Sequence, residues 1–183
     1  PSNSCALPFP SDRWQVVDRS TATGIRLVIP PNIIPPAVRA KLGPRDESAE
    51  ALIDADGFSP LSPIVFQLPD PIDAERLPAD GGNVVVVRDL TTGAKVPIRA
   101  EVSSFKTDER GARTIVLVWP RTKFEYGTRY FAGITRGVRT PSGALARPSG
   151  SLASVSAATR SASASNAPVP WSSYLTATSF MTR

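Results

Sequence analysis

The sequence predicts an all-β fold, an antiparallel sandwich, and three observations predict it. Four short runs rich in β-branched and aromatic residues follow one another, at 83–90, 96–102, 113–119 and 127–134. Each is bounded by Gly, Pro, Asp or Asn, the punctuation of consecutive antiparallel strands. Nineteen prolines in 183 residues remove backbone donors and fix φ, which favours turns and edge strands over long helices. An apolar share of 41% is enough for a globular chain to bury a core.

The rest of the chain fits that frame in order. Residues 1–12 are Pro-rich and extended, with Leu7 and Phe9 placed to lie along a core edge. Trp14, Val16 and Val17 precede a polar turn over 18–24, and 25–29 reads as a strand stopped by Pro30 and Pro31. Two short helices are expected candidates. One is 37–42, opened by Pro35-Pro36 and closed by Gly43-Pro44. The other is 46–53, whose acidic start suits a helix N-terminus. A loop over 54–64 leads into a strand at 64–68, and 70–82 is a polar connection.

Within the run at 83–90, Val84, Val86 and Arg88 face one way and Val85, Val87 and Asp89 the other. A strand apolar on both sides at its start is expected to be central. Residues 105–111 form a charged hairpin loop, and 137–143 a final turn. Tyr126 or Tyr130 is placed to tie its hydroxyl to the backbone at a sandwich corner. The pattern as a whole predicts an immunoglobulin-like sandwich of about seven strands over 1–148. Residues 149–183 form a second part. There, 151–166 is Ser/Ala-rich, a linker or a short helix. Trp171, Tyr174, Leu175 and Phe180 follow, too apolar for a free tail. They are expected to pack on this domain or on a partner.

Composition excludes several chemistries. The chain has no histidine, so it holds no Ser-His-Asp triad, no Cys-His pair and no His-ligated metal. Serines are plentiful but have no base to activate them. There is no Gly-x-Ser-x-Gly elbow and no phosphate-binding Gly-rich loop. The carboxylate pairs Asp54/Asp56 and Asp108/Glu109 sit in turns, where they read as surface groups. Asp54-Ala55-Asp56-Gly57 resembles the front of a calcium loop, but Val65 stands where an EF-hand needs its last acidic ligand. No catalytic residue, cofactor or metal is expected.

The net charge of +5 comes from arginines scattered singly along the chain. Nucleic-acid binders cluster their basic residues, so no nucleic acid is expected. No apolar run approaches the roughly 18 residues that span a bilayer. The lone Cys5 cannot form an intrachain disulfide and is a candidate for an interchain one. No signal peptide is visible, and the start at Pro1 reads as that of a processed chain. Trp14, Trp119 and Trp171 are the aromatics that a glycan-binding face would use, although Trp119, at the end of an apolar strand, is expected in the core.

Three stretches carry a family resemblance: Cys5-Ala6-Leu7-Pro8-Phe9-Pro10-Ser11-Asp12, the Asp56-Gly57-Phe58-Ser59-Pro60-Leu61-Ser62-Pro63-Ile64 segment, and Gly127-Thr128-Arg129-Tyr130. Together they resemble the N-terminal immunoglobulin-like region of large secreted bacterial proteins, some of them lipase-like α/β hydrolases. The resemblance covers about residues 5–148 and rests on structural turns. It implies a secreted or cell-surface, non-catalytic accessory domain that packs on or positions a protein partner or a downstream domain. Any hydrolase triad would then lie outside this chain. A glycan-binding module, or a subunit of an extracellular assembly, is the alternative.

Overall fold

A computed structural model describes residues 8–29, 55–103, 114–147 and 174–183. Its strands are β1 (Gln15–Val17), β2 (Ile25–Leu27), β3 (Ile64–Leu68), β4 (Val85–Asp89), β5 (Ile98–Val102), β6 (Thr114–Pro120), β7 (Arg129–Thr135) and β8 (Tyr174–Met181). They form a hairpin, β1-β2, and two three-stranded antiparallel sheets ordered β3-β6-β5 and β4-β7-β8. The expected helices at 37–42 and 46–53, the loop at 105–111 and the segment at 151–166 lie outside the described residues.

The two sheets share one core, and strand alternation explains it. Ile64, Phe66 and Leu68 of β3 are 0% exposed, as are Val116 and Val118 of β6, Val85 and Val87 of β4, and Ala132 and Ile134 of β7. In a strand every second side chain points to one face. These residues therefore form the inner walls of a sandwich and join one apolar cluster. The all-β antiparallel sandwich stands as expected.

The four runs of the 83–134 stretch are all strands, but they do not form a simple meander. After β4 the chain turns back. The Asp89 carboxylate accepts the Thr91 and Thr92 amides at 2.6 and 3.2 Å, and the Val96 amide bonds the Val87 carbonyl at 2.9 Å. Pro97 has no N–H to continue that ladder, and the chain crosses to the other sheet as β5. β4 is therefore not the central strand that its apolar run suggested. It pairs with β7 on one side and, around Lys95 and Val96, with its own returning chain on the other.

β8 completes the second sheet. It pairs with β7 from Arg129↔Met181 to Thr135↔Tyr174, with an irregularity at Ile134/Thr135 that accommodates one extra residue. Residues 174 to 180 are all buried, so the strand is covered on both faces. Its far edge is held by earlier parts of the chain. The Phe58 amide bonds the Met181 carbonyl and the Arg183 amide bonds the Phe58 carbonyl, both at 2.9 Å. Gly57 is what lets the strand pass, because a Cβ there would stand 2.8 Å from the Arg183 nitrogen. Two hydroxyls of β8 reach the N-terminal segment: Thr178 donates to the Pro10 carbonyl at 2.8 Å and Ser179 to Asp12 at 3.0 Å.

Phe180 sits at the meeting point of these segments. Its ring stacks near Tyr130 at 5.9 Å and meets Phe124 and Phe58 edge-on at 5.5 and 6.5 Å; Phe58 in turn meets Phe9 at 5.2 Å. Such pairs add specific geometry to a large burial of apolar area. The Tyr130 hydroxyl accepts the Glu125 amide at 2.8 Å, which ties the β6–β7 connection to the core. The β1–β2 turn is organised by Asp18, whose carboxylate accepts from the Ser20 amide and hydroxyl and from Arg26. The Ser20 and Arg26 bonds hold its pKa down at about 2.

Phe180→Ala removes the ring that Tyr130, Phe124 and Phe58 all meet. Buried Phe-to-Ala changes cost about 3–5 kcal/mol, so the variant is expected to unfold at clearly lower denaturant concentration with an unchanged slope. A loss under about 1 kcal/mol in urea unfolding would contradict that placement.

Candidate partner-contact face

The residues expected to meet a partner are distributed unevenly. Cys5 and Trp171 lie outside the described residues. Tyr174, Leu175 and Phe180 are 0%, 1% and 0% exposed. Phe180 and Leu175 belong to the main core and Tyr174 to a second cluster with Phe131 and Ala177. All three side chains are thus spent inside this chain. The sheet also crosses the division expected at 148/149, because β8 is hydrogen-bonded to β7 along its length.

The face that differs from an ordinary sandwich surface is the outer side of β3-β6-β5. The register brings Val65, Leu117 and Glu101 into one row, Gln67 and Ile115 into the next, and Trp119 beside Arg99. β6 is the middle strand, and its outward residues are Ile115, Leu117 and Trp119, all half-buried. Outward positions of a one-face-buried strand are normally polar, so this stripe is out of pattern. Trp119 is therefore not the core residue its strand suggested. Thr114, Val116 and Val118 take the inner positions, and parity sends Trp119 outward.

Polar groups rim the stripe. The Trp119 indole N–H donates to Glu101 at 2.9 Å, Arg99 pairs with the same carboxylate at 3.1 Å, and the Arg121 Nε donates to the Ile98 carbonyl at 3.1 Å. The arrangement is an apolar centre with a hydrogen-bonded charged margin, which is how protein contact patches are built. The most exposed aromatic among the described residues lies elsewhere: Tyr126 is 63% exposed on the β6–β7 connection, with the Lys123 ammonium 4.7 Å from its ring centre. Trp14 is 8% exposed in the core. Among the described residues the aromatics form no flat row.

Two concavities lined by described residues lie outside this stripe. One, lined by Leu77, Val84, Val138 and Arg139 among others, holds about 60 Å³, well below the roughly 300–1,000 Å³ of small-molecule sites. The other, between Pro71, Pro141, Leu145 and Arg147, is wide and open. At its edge Asp70 accepts the Arg147 amide at 2.7 Å and, from the guanidinium, Nε at 2.9 Å and Nη2 at 2.6 Å. Those bonds hold the Asp70 carboxyl below its usual range and raise the arginine. The Arg147 side chain is 75% exposed, so solvent screens the pair.

The turn carboxylates read from the sequence divide likewise. Asp56 pairs with Arg183 at 3.3 Å and its carbonyl accepts from Thr23, a structural use. Asp54, Asp108 and Glu109 lie outside the described residues. No group of three metal-ligating side chains comes together among the described residues, and none of their helices is long and apolar enough to cross a membrane. No family model and no curated protein matches this chain.

Asp70 gives a pH test. Its folded pKa is depressed, so its contribution is present above the unfolded value, about 3.9, and is lost as pH falls through the lower folded value. Wild type is expected to lose more stability between pH 7 and pH 2 than Asp70→Asn does. Identical losses in thermal melts of the two proteins would contradict the pairing.

Proposed function

We propose that this chain is a non-catalytic, immunoglobulin-like accessory domain of a secreted or cell-surface protein, which packs on a protein partner or a neighbouring domain. The observation that carries the reading is the apolar stripe Ile115, Leu117 and Trp119 on the outward face of β6. Burying such a stripe stabilises an association by roughly 25 cal/mol per Å² of apolar area, less the cost of ordering. The immunoglobulin-like assignment is supported by strand order. The pairing β3-β6-β5 against β4-β7-β8 matches B-E-D against C-F-G, with Phe9 bridged to Val65 where an A strand runs. Tyr130 at the start of β7, bonded back to the Glu125 amide, matches the tyrosine corner of such domains. The secreted setting, and a hydrolase as the partner, rest on the resemblance of 5–12, 56–64 and 127–130.

A glycan-binding module is the second reading, favoured by Trp119 standing outward between Arg99 and Glu101. It is the weaker one. The indole N–H is already bonded to Glu101, and a lone half-buried ring offers little stacking area.

The test is a photoactivatable amino acid at Leu117, in the protein as made by its own source cells. The reading expects a protein crosslink at Leu117 and none at Val17, which is 81% exposed on the β1–β2 hairpin. Introducing Lys at Ile115 is expected to lower that crosslink at least tenfold while the domain stays folded. Carbohydrate adducts at Leu117, without protein, would replace this reading by the second one.

A further inference from the structure

We propose that Arg88 and Tyr174 bind a small inorganic anion on the outward side of the β4-β7-β8 sheet. Arg88 on β4 stands opposite Phe131 on β7, and cross-strand partners lie within about 5 Å of each other. Gly133, two residues along β7, leaves room for Tyr174: a Cβ there would stand 2.7 Å from its ring. The Tyr174 ring meets Phe131 edge-on at 5.1 Å and 68°, and Leu90 packs against the same group. Tyr174 and Ala177 are 0% exposed and Phe131 1%. These three side chains are therefore shielded from bulk solvent, while Arg88 and Leu90 beside them are half-buried.

Two polar groups there, the Tyr174 hydroxyl and the Arg88 Nε, are buried with no hydrogen-bond partner among the described residues. The guanidinium is anchored, since its Nη1 donates to the Gly93 carbonyl at 2.7 Å. Among the described residues no carboxylate pairs with it, and the neighbouring Asp89 is occupied by the Thr91 and Thr92 amides. Burial raises the Tyr174 phenol's pKa, and the positive charge of Arg88 works against that rise. A buried donor without an acceptor, next to a positive charge without a counter-charge, is costly. Native proteins resolve such groups with a bound water or ion. Both groups can donate, so the occupant accepts, and the uncompensated guanidinium selects a negative one. A compact monovalent anion of halide size meets both demands. Water meets only the first and is the competing occupant.

The test uses bromide and chloride as probes. Thermal melts are run at constant ionic strength, with chloride exchanged for a bulky organic anion. Wild type is expected to melt roughly 3 °C or more higher in chloride, by mass action on the folded state. Tyr174→Phe and Arg88→Met are expected to remove that dependence. Crystals of the wild-type protein grown in bromide are expected to show an anomalous peak bonded to the Arg88 Nε and the Tyr174 hydroxyl. That peak also decides the matter should either variant fail to fold. A water at that position in bromide crystals overturns the anion, as does chloride-independent melting in wild type. A Tyr174→Phe protein more stable than wild type would mean that the hydroxyl is simply unsatisfied, and overturns the site altogether.

Discussion

The ladder between β7 and β8 is the constraint on which the rest depends. Without β8, the second sheet would be two strands facing a three-stranded one, and the Tyr130–Phe124–Phe58 aromatic group would lose Phe180. The N-terminal segment would lose two of its anchors as well, since Pro10 and Asp12 accept from β8 hydroxyls, and the Phe58 segment would lose its bonds to the end of β8. A strand from the end of the chain thus fixes a segment from its beginning. Long-range closure of this kind is entropically costly and is repaid only when the whole sandwich forms.

That closure sets what each outward face can do. On the β4-β7-β8 side the outward residues Phe131, Tyr174 and Ala177 are already sealed, and only polar groups within the seal remain unmatched. On the β3-β6-β5 side Ile115, Leu117 and Trp119 stay half-exposed within a charged margin. The first face therefore carries the proposed ion site and the second the proposed partner surface.

The strands were legible in the sequence wherever β-branched residues were dense, as in β3, β4 and β6. Sheet membership was not, because Pro97 breaks the returning ladder of β4 and sends β5 across, a choice that depends on distant partners. Trp119 was misplaced for a physical reason. β6 is apolar on both faces, so alternation carries no sign of which face is inward. β8 was legible only as an apolar end that must pack somewhere. Its Thr176, Thr178 and Ser179 break the apolar pattern, yet they are buried; the last two are satisfied by hydroxyl bonds to Pro10 and Asp12 that no local pattern announces. That Arg88 and Tyr174 share one face was invisible for the same reason, since the fold alone brings them there. Tyr130 was legible as one of two candidates because a tyrosine opening a late strand is a local signal.

The most direct measurement removes the strand and returns it in trans. A chain ending at residue 173 is mixed with a synthetic peptide of residues 174–183, and near-ultraviolet circular dichroism and cooperative melting are followed. The account predicts a shortened chain without fixed tertiary packing, which regains a cooperative transition as the peptide is added. A shortened chain that melts cooperatively at the wild-type temperature, indifferent to the peptide, would contradict it.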